Sequence, residues 1–213
     1  MSDLIILGTG VHAAEMAEIV EQINRIEPTW NLLGFIAPNE QTDRAGEEIN
    51  GYPILGTRKV LADYPDVWYV PDNGFPDLVG IPAQRLASIV APSSFVSRTA
   101  RIGAGCVVYP NCFIGLNVTL GHRVFILSGS IINHDDKLGD RVVVCSSVSL
   151  AGFVTVEAGC YLGQACTIKQ YLRIGRGSLI GMGSIVVKDV PPNSVMVGNP
   201  ARKLRDRNVL LIS

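Results

Sequence analysis

Three titratable side chains stand together in IINHDDKLGD, residues 131–140: His134, Asp135 and Asp136. An imidazole, with an unperturbed pKa of about 6.5, can accept a proton at neutral pH. A neighbouring carboxylate can fix its tautomer and stabilise the imidazolium, which is what a general base needs. Such a base serves an amine or hydroxyl that loses its proton while attacking a carbonyl. Asp135 suits the orienting role. Asp136 requires a partner or local exposure, because a buried unpaired carboxylate is costly. Five cysteines, at 106, 112, 145, 160 and 166, are the other reactive candidates. They are odd in number and form no CxxC pair, so they read as structural thiols and not as metal ligands or disulfides.

The element that must carry the histidine is set by a repeat. From Val90 to Val186, every sixth residue is aliphatic, seventeen positions in succession without a shift of phase. The next residue is often glycine (Gly103, Gly115, Gly121, Gly139, Gly163, Gly175, Gly181). The residue four after the aliphatic is usually small or β-branched, and Cys106, Cys112, Cys160 and Cys166 occupy that slot. A period of six is neither helical nor that of a simple strand. It describes a short strand followed by a tight turn in which glycine relieves backbone strain. His134 is third in its hexad and so falls on a turn at a ridge. Gly152 lies 18 residues on, in the same slot, and leaves room above the imidazole. Asp136 falls in the small-residue slot. His122, in LGHR (120–123), occupies a different ridge.

Residues 1–88 follow another pattern. DLIILGTG (3–10) reads as a buried strand, VHAAEMAEIVEQINRI (11–26) as a helix, LLGFIA (32–37) and VWYVP (67–71) as strands, and KVLADY (59–64) as a short helix. The alternation predicts a small Rossmann-like α/β domain. Its glycine turn could present N–H groups to a phosphate, although GTGVHAAE (8–15) lacks the third glycine of a dinucleotide fingerprint. The boundaries implied are 1–88 for this domain, 89–199 for the repeat domain and 200–213 for a C-terminal tail.

The hexads resemble the hexapeptide-repeat superfamily, whose coils wind a left-handed parallel β-helix. Together, GTGVHAAE (8–15), NHD (133–135) and VGNPARKL (197–204) resemble one group within it, over nearly the whole chain. This is the bacterial nucleotide-sugar and sialic acid acetyltransferases, which include bacillosamine-type UDP-4-amino-sugar N-acetyltransferases. The resemblance implies a homotrimer with acetyl-CoA lying in a groove between adjacent prisms, and no metal. It implies His134 and Asp135 as the catalytic pair. Acetyl-CoA contacts would fall to Gly152, Gln170, Arg202 and Lys203. The nucleotide sugar would be held by Gly8, Gly10, His12, Asp72, Asn73 and Asn133. Two positions depart from the group: Ala37 stands where an acid is common, and Pro71 where a glycine is. The same residues would serve O-acetylation of a sugar. A non-catalytic nucleotide-sugar binder and a metal-dependent hydratase are the readings from other classes, and the last would need a third histidine beside His122 and His134.

A net charge of −1 and a charged fraction of 17% give no basic surface for nucleic acid. Apolar runs such as LIIL (4–7) and SLIGMGSIVV (178–187) are far shorter than the roughly 20 residues a membrane helix requires. Met1–Ser2–Asp3 leads directly into a strand-like run instead of a signal sequence, so a cytoplasmic protein is expected.

Overall fold

A computed structural model describes residues 1–39, 44–75 and 78–207; the rest of the expected C-terminal tail, 208–213, lies outside the described residues. The chain forms two compact units. One holds Met1–Pro92 with Ala104–Val107, and the other Ser93–Gly103 with the chain from Val108 onward.

The first unit is built on strand β1 (Ser2–Leu7), helix α1 (Val11–Ile26), β2 (Trp30–Ala37), β3 (Glu48–Ile49), β4 (Tyr52–Thr57) and β5 (Trp68–Pro71), in sheet order β3-β4-β2-β1-β5. β1 pairs in parallel with β2 and β5, and β2 with β4, while β3 runs antiparallel to β4. The central strands bury Leu4, Ile5, Ile6, Leu7, Phe35 and Ile36 completely. Helix α1 buries Ala13, Met16, Ala17, Ile19 and Val20, the stripe its 3.6-residue spacing predicts. The short helix expected near 59–64 is a 3₁₀ segment, Arg58–Asp63. Strand β4 has no counterpart in the sequence reading. Its YPILGT sequence is short and broken by Pro53 and Gly56.

The second half is a parallel β-helix in which each hexad supplies one two-residue strand, from Ile89–Val90 to Ile185–Val186. Strands 18 residues apart pair in parallel: Ile131–Ile132, for example, sits between Phe113–Ile114 and Ser149–Leu150. This stacks the strands into three sheets. The aliphatic residues from Val108 to Val186 are buried, and so are the cysteines, all of them free. At the C-terminal end, Ser194–Val197 continues one sheet and Arg202–Asp206 returns antiparallel to it. Among the described residues, no helix is long and apolar enough to cross a membrane.

The glycines after the aliphatics have a different purpose from the one expected. None of the seven has a positive φ. A Cβ on Gly103 would lie 2.4 Å from the Gly121 carbonyl oxygen, and one on Gly175 2.4 Å from the Pro192 nitrogen. These glycines admit the backbone of the next coil. The left-handed conformation falls two residues later, on residues such as Asn111, Asn117, Arg123 and Asp135, with φ of 57 to 61°. Asn and Asp tolerate that region best among residues with a side chain.

Candidate functional site

The strand Ile131–Ile132 ends at Asn133, whose side-chain N–H donates to the Leu150 carbonyl at 2.6 Å and ties the turn to the coil above. His134 follows on the ridge with 54% of its side chain exposed. Its Nδ1 lies 3.0 Å from Asp135 Oδ2. An ionised carboxylate can only accept, so this contact places the proton on Nδ1 and leaves Nε2 as the basic nitrogen. Asp135 Oδ1 accepts from the Asn117 side-chain amide at 3.1 Å. The hydrogen bonds from His134 and Asn117 hold the Asp135 carboxyl below its usual range.

Gly152 stands over the imidazole. A Cβ there would lie 3.1 Å from both Cε1 and Nε2 of His134, so the absence of a side chain creates the space around the basic nitrogen. Phe153 approaches the imidazole edge-on, with centroids 5.2 Å apart, and Tyr171 stacks on Phe153 at 5.1 Å. Beside Asp135 is a hollow of about 470 Å³ whose lining includes Arg101, Asn117, Lys137 and Phe153.

Asp136 points inward and is fully buried. Its Oδ1 accepts the Val154 N–H at 2.8 Å, whereas Oδ2 has no hydrogen-bond partner. Burial pushes this carboxyl up to about 7, against the pull of the Val154 and Asn133 N–H groups and of His134. Of the two outcomes open to Asp136 in the sequence, burial with a partner is the one adopted, and only one oxygen is satisfied.

The other expected residues divide into groups. Gln170 is exposed in the slot one coil beyond Gly152. Arg202 and Lys203 lie on the returning strand Arg202–Asp206, where Arg202 donates to its neighbour's carbonyl and Lys203 pairs with Asp206 at 2.6 Å. In the first unit, Gly8 and Asp72 are brought together: a Cβ on Gly8 would lie 2.2 Å from Asp72 Oδ2. The Asp72 carboxylate also accepts the Gly74 N–H at 2.8 Å. Gly10 precedes α1 without a side-chain cap. His12 is in the first turn, with Nδ1 3.2 Å from Glu15, and Asn73 is exposed. Ala37 is fully buried at the end of β2. His122 is exposed, and its N–H donates to Asp140 at 2.8 Å. Asn117, Phe153 and Tyr171 were absent from the sequence reading. The 18-residue register held the signal for them, since 117, 135, 153 and 171 share one slot.

Comparison with known proteins places this geometry in context. Residues 3–70 match the family model of the PglD N-terminal domain. Acyl-[acyl-carrier-protein]–UDP-N-acetylglucosamine O-acyltransferase of Agrobacterium fabrum is 34% identical over 109 residues, which are 48% of this chain and 40% of that protein. Serine acetyltransferase 4 of Arabidopsis thaliana is 33% identical over 106 residues, 46% of this chain and 29% of that protein. The chain thus spans less than half the length of these curated relatives. Several solved structures match nearly end to end, among them the following two. The acetyltransferase domain of PglB from Neisseria gonorrhoeae has a TM-score of 0.83 at 22% identity, covering 96% of this chain and 100% of that one. A perosamine N-acetyltransferase variant from Caulobacter crescentus, solved with CoA and GDP-perosamine, has a TM-score of 0.84 at 24% identity and covers 97% and 98%. The fold is therefore a left-handed parallel β-helix that follows, in the sequence, a region matching the PglD N-terminal domain model.

Proposed function

We propose that this chain, a PglD-type domain joined to a hexapeptide-repeat prism, transfers an acetyl group from acetyl-CoA to the amine of a nucleotide-linked amino sugar. The observation that carries the reading is the exposed His134 imidazole, tied through Nδ1 to Asp135 and open at Nε2 beneath Gly152. In the reaction, the sugar amine attacks the thioester carbonyl while Nε2 takes its proton. The carbonyl becomes an oxyanion, to which we assign the Gly152 N–H as donor. Collapse breaks the C–S bond, and the proton passes from the imidazolium to the departing CoA sulfur. Asp135 orients the ring and stabilises the imidazolium throughout.

The ligand-bearing neighbour supports both substrate classes, since it was solved with CoA and GDP-perosamine. Arg101 and Lys137, in the hollow beside Asp135, suit a phosphate-bearing acceptor. We assign the CoA end to Gln170, Arg202 and Lys203. The nucleotide sugar falls to the Gly8–Gly10 turn, His12, Asp72 and Asn73, with Asn133 beside the base. We place the site in a groove completed by a second protomer of a cytoplasmic homotrimer.

Steady-state assays with acetyl-CoA, run in parallel on UDP-, GDP- and dTDP-linked amino sugars and on hydroxy-sugar acceptors, test the reading. The His134→Ala variant is expected to lose about 10²- to 10⁴-fold in kcat while calorimetric binding of acetyl-CoA persists. Full activity in that variant, or transfer to hydroxyl acceptors alone, would overturn the assignment of base or of acceptor.

A further inference from the structure

The turn above His134 differs from the other turns of the prism. In those from 104–105 to 182–183, the fourth residue of the hexad is left-handed and the third is not. Gly152 is the one third-slot residue with a positive φ among the described residues, at 96°, and Phe153 follows at 54°. This pair also lacks the turn hydrogen bond that brackets the corresponding pairs from 98–99 to 182–183. The link from one coil to the next, Phe153 N–H to the His134 carbonyl, is 3.2 Å, against 2.8 Å for Asp135 N–H to the Leu116 carbonyl. A turn with two consecutive left-handed residues and no closing bond of its own needs an outside restraint.

That restraint is Asp136. Its Oδ1 takes the Val154 N–H at 2.8 Å, directly after the two left-handed residues. Elsewhere the same slot does this with a hydroxyl: Ser88 takes the Cys106 N–H and Ser94 the Cys112 N–H, each at 2.9 Å. The slot also tolerates valine, at Val118, Val124, Val142 and Val148, all buried. The cap is thus optional for the prism, and the one supplied by a carboxyl serves the turn that faces the imidazole.

We infer that Asp136 is a positioning residue: by holding the Val154 N–H it fixes the Gly152–Phe153 turn against His134, where the acetyl carbonyl must sit. This rests on the acetyl-transfer reading above. Asp136 touches no substrate. It acts through the turn, so its loss changes the placement of the carbonyl contact and not the affinity of the distant parts of CoA.

The test uses the full chain with Asp136→Val and Asp136→Asn. Valine fits the slot and removes the cap, while asparagine keeps an acceptor at Oδ1. For Asp136→Val, kcat is expected to fall about 10- to 100-fold with KM for acetyl-CoA within threefold, and Asp136→Asn is expected to stay within threefold in both. A valine variant that melts like wild type and keeps its kcat overturns the inference, as does an asparagine variant as impaired as the valine one. Should Asp136→Val fail to fold, Asp136→Ser carries the hydroxyl used by Ser88 and Ser94, and a tenfold loss of kcat there overturns the inference. If the wild-type chain acetylates no acceptor, the acetyl-transfer reading fails instead. The turn is then read from the His134 ring and Gly152 amide resonances, which must move in the valine variant and stay in the asparagine one.

Discussion

Raising the pH from 4 to 8 is expected to weaken the fold through Asp136. The ordinary value of 3.8 applies to the unfolded chain, and burial raises the folded carboxyl to about 7. The native state therefore holds this proton more tightly than the unfolded chain does. Its contribution to stability is fully present below about pH 4 and is lost as the pH rises through about 7. At about 1.4 kcal/mol per pH unit, the span between the two values amounts to about 4 kcal/mol. Asp135 works in the opposite sense: its lowered carboxyl contributes above the unfolded value and loses that contribution as the pH falls. Comparison with Asp136→Asn, which cannot titrate, cancels Asp135 and the histidines. Urea unfolding of both chains at fixed protomer concentration should give a stability difference that shifts against wild type by about 1.4 kcal/mol per unit between pH 4 and 7. Above pH 7 it should level off. A difference that stays constant within about 0.5 kcal/mol across this range would refute the argument that Asp136 is buried with an unsatisfied oxygen.

Three further outcomes follow from the geometry. Gly152→Ala forces a side chain into a positive φ and to 3.1 Å from the imidazole. It should lower stability by about 1–3 kcal/mol in urea titrations and lower kcat more than KM in the transfer assay. Gly103→Ala drives a Cβ to 2.4 Å from the Gly121 carbonyl oxygen and should lose about 1–3 kcal/mol, although its own φ is ordinary; a neutral result would refute the close-approach account. Burial pushes the Cys160 thiol up to about 11 and the Cys166 thiol up to about 12. Both should resist an aromatic disulfide reagent at pH 7.5 in the folded protein, and all five cysteines should react in denaturant.

The division between what could be read early and what could not follows the range of the interactions concerned. The prism was legible because each hexad states its own structure: an aliphatic residue that must be buried, a small side chain four places on, and a beat that holds from Val90 to Val186. The beat together with the resemblance to hexapeptide-repeat proteins implies the 18-residue pairing, and with it the ridge position of His134 beneath Gly152; the beat alone gives the packing role of the cysteines. The helix 11–26 was legible for the same reason, through its 3.6-residue stripe. Strand β4 was not, because YPILGT carries no period and takes its extended form from pairing with β2. The glycines after each aliphatic were visible, but their reason was not, since the backbone they admit belongs to the coil above.

Asp136 marks the boundary most clearly. Its slot, and the demand that it be partnered or exposed, came from the sequence alone. Its partner is a main-chain N–H 18 residues away, in a turn whose two left-handed residues leave that N–H to be capped from below. The chain's local period determines which side chains face inward, because that depends only on spacing. The turn conformation at Gly152 and Phe153, and therefore the group that must hold it, is decided by the contact between stacked coils, which exists only once the prism has formed.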